Sequence, residues 1–372
     1  MNTTETVIGM DVHELDTPAL LVNLPIMESN LKRMTEYLNG TGVNLRPHVK
    51  LHKATPQLAQ RQLEAGAIGM TCAKLSEAET LAAAGIHDIL IANQIVGSRK
   101  IDRLMELARH CDVKVAVDNP INILELAQAA QAAGVRLGVL IEVNIGHNRC
   151  GVAPYGPTLE LAQLILNQPG LSFLGLMGYD GHCTLKVTES EREALSLKAN
   201  TLLADTRRYL EDAGVPISIV SAAGTFTYRF AASVDGITEV QAGSYLLMDT
   251  AFRDHGIHEF EPALSVLSTV TSRPVYPGAG GLAIIDAGQK SVSTALGDPG
   301  VKQPEGLQVR SLSDEHGRIL AVDAEARPPL GAKIELEVRD ANGTIKQFDR
   351  FYVIRDGIVE DVWPIPLCGN ST

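Results

Sequence analysis

Alternation of short β-rich runs with amphipathic helical stretches constrains this chain more than any other feature. Eight β-rich runs fall at residues 43–45, 68–71, 88–92, 113–117, 137–143, 174–178, 217–221 and 237–240. Helical patterns separate most of them, at 56–65, 76–84, 100–109, 121–133, 158–166 and 189–213. Four of these helices run into Gly66, Gly85, Gly134 and Gly214, the residue type that closes a helix in a left-handed conformation. Strands joined by helices in this rhythm predict a (β/α)8 TIM-like barrel. A doubly wound open sheet is the alternative, but no G-x-G-x-x-G opens any of the helices, which weakens a dinucleotide-binding version of it. Ahead of the barrel, the turn signal Asp16-Thr17-Pro18 precedes a strand at 19–23 and a helix at 26–38.

Past residue 255 the helical patterns vanish. Alternating runs at 265–272, 282–286, 319–322, 333–338, 348–355 and 359–363, with turns at Pro277-Gly278, Gly280-Gly281 and Asn342-Gly343, predict a mostly antiparallel β domain. The expected division is a barrel over 15–255 and a C-terminal β domain over 256–372, joined by the N-terminal segment 1–14. A length of 372 residues suits such a pair.

Composition narrows the function classes. A net charge of −12 argues against non-specific binding to nucleic acid or to anionic membranes. No segment approaches the roughly 18 consecutive apolar residues of a membrane span, and Met1 to Val12 lacks the apolar run of a signal peptide. Five scattered cysteines without a C-x-x-C pair fit reduced thiols in the cytoplasm.

One stretch is chemically unusual. Arg46-Pro47-His48-Val49-Lys50-Leu51-His52-Lys53 crowds cations and imidazoles around Lys50 directly after the first barrel run. A lysine beside other cations has a lowered pKa and becomes a usable amine nucleophile, of the kind that forms Schiff bases with carbonyls or with pyridoxal 5'-phosphate (PLP). A solvated basic loop is the competing reading. In a (β/α)8 barrel the loops after the strands carry the chemistry. Here they contain Asn93-Gln94, the 144–151 loop with His147 and Arg149, Tyr179-Asp180-Gly181-His182, Gly224-Thr225-Phe226-Thr227, and Gln241-Ala242-Gly243-Ser244-Tyr245. The last two are glycine- and hydroxyl-rich and can cradle a phosphate.

The motifs Arg46-Pro47-His48-x-Lys50-x-His52-Lys53, Gly146-x-x-Arg149-x-Gly151-Val152, Tyr179-x-Gly181-His182, Gly224-Thr225-x-Thr227 and Gln241-x-Gly243-Ser244-Tyr245 together resemble the D-threonine aldolase / D-serine dehydratase family. This is the alanine-racemase-like, fold-type III class of PLP enzymes, and the likeness runs from about Leu15 to Trp363. The resemblance implies a (β/α)8 barrel with a C-terminal β domain, usually in a homodimer, and a role in D-amino acid metabolism. It implies that Lys50 binds the cofactor covalently and that Arg149 lies beside the ring. Tyr179 would bond the pyridine nitrogen, and Gly224, Thr225, Gly243, Ser244 and Tyr245 would hold the phosphate.

The family also uses a divalent metal against the substrate's β-hydroxyl, on a His-x-Cys or His-x-Asp motif in the C-terminal domain. Here the flanks match, but that position reads Asp340-Ala341-Asn342. Oxygen ligands at Asp340 and Asn342 would suit Mn²⁺ or Mg²⁺ over Zn²⁺. Alternatively Asp340-Ala341-Asn342-Gly343 is a hairpin turn, and a protein base, His52, His147 or His182, would act on the hydroxyl. The leading expectation is a lyase cleaving a D-3-hydroxy amino acid to glycine and an aldehyde, with Lys50, His52 and His182 as catalytic residues. The rivals are β-elimination of D-serine or D-3-hydroxyaspartate to a 2-oxo acid and ammonia, a metal-independent amino-acid racemase or epimerase, and a non-catalytic PLP carrier.

Overall fold

The computed structural model describes residues 7–184 and 188–369. The chain divides into two compact units, one formed by residues 34–50 and 54–244, the other by the described residues up to Arg33, Leu51–Lys53 and those from Tyr245 on.

The chain begins with strand β1 (Ala19–Asn23) and helix α1 (Leu24–Asn39). Eight parallel strands follow: β2 (Asn44–Leu45), β3 (Met70–Cys72), β4 (Asp88–Ile91), β5 (Asp112–Val117), β6 (Leu137–Glu142), β7 (Leu171–Gly178), β8 (Ile219–Ala222) and β9 (Glu239–Val240). Their order is β2-β9-β8-β7-β6-β5-β4-β3. A parallel bridge between His48 and Thr71 joins the two ends. Thr71 N–H donates to Pro47 O and Val49 N–H to Thr71 O, each at 2.9 Å. The sheet therefore closes into the expected barrel, and the segment leading to Lys50 is its closing seam.

Helices α2 (Pro56–Glu64), α3 (Leu75–Ala83), α4 (Ser98–Ala108), α5 (Pro120–Ala133), α6 (Gly156–Leu166), α7 (Glu189–Asp212) and the short α8 (Tyr228–Ala231) make the connections. Their ends follow from local chemistry. Asn119 caps α5 by accepting from Ile121 N–H, Pro120 opens it, and Gly134 closes it at φ +67°. Thr188 and Glu191 form a reciprocal capping box on α7. All six residues of β6 are buried, as a parallel strand covered on both faces requires.

The second unit adds α9 (Thr250–Asp254), β10 (Leu264–Ser272), β11 (Leu282–Ile285), β12 (Val301–Gln303), β13 (Leu307–Leu312), β14 (Gly317–Ala321), β15 (Lys333–Glu337), α10 (Ala341–Ile345), β16 (Arg350–Arg355) and β17 (Ile358–Pro364). All its pairings are antiparallel except one. β1 pairs antiparallel with β10 and parallel with β16, so residues 19–23, expected with the barrel, belong to this sheet. Leu15, Ala19, Leu21, Leu267, Val359 and Val362 bury one another there. The boundary expected after residue 255 falls at Tyr245. The hairpin expected at 340–343 is instead a turn of helix. Asp340 caps α10, its Oδ1 accepting from Gly343 N–H at 3.0 Å. That capture satisfies an otherwise orphan helical donor.

Candidate active site

Lys50 stands at the end of the seam strand, open to solvent at the barrel mouth yet enclosed by protein on its other sides. That enclosure is the first cause of a lowered amine pKa. The guanidinium of Arg149 lowers it further, and Glu77 opposes both. The depression expected from local cationic crowding is therefore present but has another origin. Arg46 does not crowd Lys50. It is buried, with Nε on both oxygens of Glu239 at 3.0 and 3.1 Å and Nη1 on Asp88 at 2.5 Å. His48 lies close, accepting from Lys50 N–H through Nδ1 at 3.2 Å.

The Tyr179 ring is the focus of the mouth. Lys50 Nζ lies 6.0 Å from its centroid and Arg149 Cζ 5.3 Å. His147 meets the same ring edge-on, centroids 5.4 Å apart, and stacks with His182 at 6.4 Å. Gly181 permits this, because a Cβ there would press on both the Tyr179 ring and His147. Burial raises the Tyr179 phenol above its ordinary value and Asp180 raises it again, so its hydroxyl stays a protonated donor. His147 is shifted the other way. Burial, then Arg149 and His182, hold its imidazole below the ordinary range, with Asp180 opposing, so it is neutral and basic at neutral pH.

Arg149 is backed by Glu142, the last residue of β6, at 4.0 Å. Glu142 is buried, and burial raises its carboxyl. It accepts from Gln94 Nε2 at 2.6 Å. Sequence reasoning singled out Gln94 but not Glu142, which reads as the end of an apolar strand.

One hydroxyl-rich loop borders the same ring and the other borders the Lys50 segment. A Cβ on Gly224 would meet Tyr179 at 3.5 Å and its hydroxyl at 3.9 Å, so a slot one atom deep lies between this loop and the phenol. A Cβ on Gly243 would collide with the backbone of His48, which lets the 241–244 loop close against the Lys50 segment. Lys50, Arg149, Tyr179, His182, Gly224, Thr225, Gly243 and Ser244 all lie in the barrel unit. His52 and Tyr245 are fully buried and cluster with the other unit, where the Tyr245 ring packs against Phe260 at 5.6 Å.

This donor set fits PLP. It offers one amine of lowered pKa, one guanidinium, one neutral phenol donor and two small-residue loops around an open slot. The fit to a metal is poor. Asp340 Oδ2 accepts from Ser293 Oγ at 2.6 Å, and its Oδ1 is engaged in capping. Asn342 is exposed on α10. Among the described residues no group of three or more His, Cys, Asp or Glu side chains could hold an ion. The thiols are spectators: burial pushes Cys72 well above the ordinary range and raises Cys150 as well.

A barrel whose C-terminal loops gather lysine, arginine, tyrosine and two glycine- and hydroxyl-rich loops defines a class, and sequence comparison agrees. Residues 22–251 match the alanine racemase N-terminal domain and residues 263–354 a putative serine dehydratase domain. The chain belongs to this alanine-racemase-like, fold-type III PLP family. Within it, the chain is 38% identical to a D-threonine aldolase of Arthrobacter sp, covering 98% of this chain and 95% of the relative. It is 33% identical to a 3-hydroxy-D-aspartate aldolase of Paracoccus denitrificans, with the same coverage. The crystal structure of D-threonine aldolase from Filomicrobium marinum superposes with a TM-score of 0.91 at 36% identity, over 97% of this chain and 98% of that one.

Proposed function

We propose that this chain is a PLP-dependent carbon-carbon lyase that cleaves a D-3-hydroxy amino acid of the D-threonine type to glycine and an aldehyde. The convergence of Lys50 and Arg149 on the Tyr179 ring carries this reading. PLP, when bound, supplies a ring that takes up the electron pair left at Cα when a bond there breaks. Lys50 offers the amine in usable form because burial and Arg149 disfavour its charge. Tyr179 would donate a neutral hydrogen bond to the ring nitrogen, and Arg149 would orient an anionic oxygen. Gly224, Thr225, Gly243 and Ser244 would hold the phosphate. His147 takes the proton from the substrate's β-hydroxyl oxygen, the Cα–Cβ bond opens as the C=O of the aldehyde forms, and a proton delivered to Cα completes glycine. His147 replaces His52 in this role, since His52 is fully buried. His182, stacked on His147, is its neighbour in the same cluster.

Asp340 is assigned to capping, and no step is given to a metal. A homodimer working in the cytoplasm completes the proposal, the dimer being testable by light scattering on the purified chain.

The decisive experiment incubates the PLP-reconstituted protein with D-threonine and D-serine, with EDTA or with added Mn²⁺. Glycine plus acetaldehyde from D-threonine, and a near-visible absorbance band lost in Lys50→Ala, are expected. Ammonia with 2-oxobutanoate would make it a dehydratase instead, and deuterium exchange at Cα alone a racemase-type enzyme. Activity that collapses under EDTA and returns with Mn²⁺ would overturn the assignment of Asp340.

A further inference from the structure

Helix α7 carries a buried polar stripe at Arg192, Ser196 and Asn200. Polar residues every fourth position on the inward face of a helix need partners, and here they converge on the two cofactor-side loops. Asp180, the residue after Tyr179, is fully buried. Its Oδ2 accepts from Ser196 Oγ at 2.6 Å and from Asn200 Nδ2 at 3.0 Å, and its Oδ1 accepts from Thr227 Oγ1 at 2.9 Å. The Thr227 hydroxyl, having donated its proton to Asp180, presents its lone pairs to Gly224 N–H at 3.4 Å. Arg192 reaches the same loop, with Cζ 5.8 Å from the Phe226 ring. One carboxylate thus ties the Tyr179 loop, helix α7 and the 224–227 loop together.

We propose that Asp180 is a positioning residue for cofactor phosphate. It fixes the polarity of the Thr227 hydroxyl and, through it, the conformation in which the 224–227 loop receives the phosphate. This rests on the PLP reading above. Thr227 is accordingly a strut and not a phosphate ligand. An asparagine at 180 keeps the shape but offers one oxygen and one NH2 group to three donors. With its oxygen kept on Ser196 and Asn200, that NH2 faces Thr227 and turns the hydroxyl from donor to acceptor, and loss of a buried hydrogen bond to a charged carboxylate corresponds to roughly tenfold in affinity.

The test compares binding of PLP and of pyridoxal, which lacks the phosphate, to wild type, Asp180→Asn, Thr227→Val and Thr227→Ser. Asp180→Asn and Thr227→Val are expected to weaken PLP about tenfold while leaving pyridoxal unchanged, and Thr227→Ser to keep wild-type preference. In the apo protein, amide exchange over 224–227 should quicken in the first two variants and not in the third. A purely structural role would lower both affinities alike. Equal losses for the two ligands, or an intact preference for PLP in Asp180→Asn and Thr227→Val, would overturn the inference. Failure of the cofactor reading shows elsewhere, as a wild type with no absorbance band that Lys50→Ala removes.

Discussion

At the scale of single residues, His147 makes the sharpest claim. Its imidazole is held below the ordinary value of about 6.5 by burial, with Arg149 and His182 adding to the effect. A base that must be neutral loses activity only as pH falls through its own pKa, so the acid limb of kcat should lie below the range of an ordinary histidine. His147→Gln should lower kcat by about 10²–10⁴-fold, the worth of a general base, and remove that limb. A His147→Gln variant that keeps the wild-type profile would return the role to another group. The sequence already pointed to Lys50, though for a different physical reason. Its lowered pKa comes from enclosure and from Arg149 on a distant loop, not from Arg46, which turns into the barrel. Local spacing cannot reveal which way a side chain faces when the strand just before it is only two residues long. Asp180 was legible as a loop residue but not as a hub, because Ser196, Asn200 and Thr227 meet it only once α7 is folded.

At the scale of elements, the barrel strands and helices were legible because both periods, apolar runs and glycine stops, are local. β12 and β13 were not, since Val301–Gln303 and Leu307–Leu312 flank Pro304 and are half-polar, with β12 nowhere fully buried. The turn at 340–343 was misassigned because Asp-x-x-Gly serves a hairpin and a helix cap equally; the third contact, from Ser293, is remote in sequence. Two such caps meet in the second unit. Asp249 caps α9 through Phe252 N–H and accepts from Ala341 N–H at 3.0 Å. Burial, with Asp340 adding its charge, raises the Asp249 carboxyl to about 6. An unfolded aspartate titrates near 3.9. The folded chain therefore holds this proton to higher pH than the unfolded chain. The contribution of Asp249 to stability is greatest below about 4 and is lost as pH rises through about 6, a change of roughly 3 kcal/mol for two pH units. Urea unfolding of wild type and Asp249→Asn between pH 4 and 7.5 checks this. The difference in unfolding free energy between them should move with pH in that window and be flat above it; a pH-independent difference would place the Asp249 pKa at its ordinary value.

At the scale of the whole molecule, the barrel is held by charge as well as by apolar layers. Arg46, just past β2, is paired with Glu239 at the start of β9 and with Asp88 at the start of β4. Lys114 of β5 reaches the same Asp88 at 2.8 Å. Four strands of the closed sheet are thus linked, three through Arg46 and the fourth through Asp88, and none of these partners is near another in sequence. Both Arg46 and Glu239 have side chains only 3% exposed. Removing one member of a buried pair leaves an uncompensated charge and costs about 3–5 kcal/mol, whereas replacing both by apolar groups of similar volume is often near neutral. Arg46→Met alone and Glu239→Leu alone should each lower the unfolding free energy by that amount. The double variant should recover most of the loss, giving a coupling energy of opposite sign to the single effects. If the double variant is as unstable as the sum of the singles, the network does not act as a pair. Arg46 would then be holding the seam through packing against Gly69, where a Cβ would meet its guanidinium. That outcome would tie the stability of the barrel to the geometry of the seam that delivers Lys50.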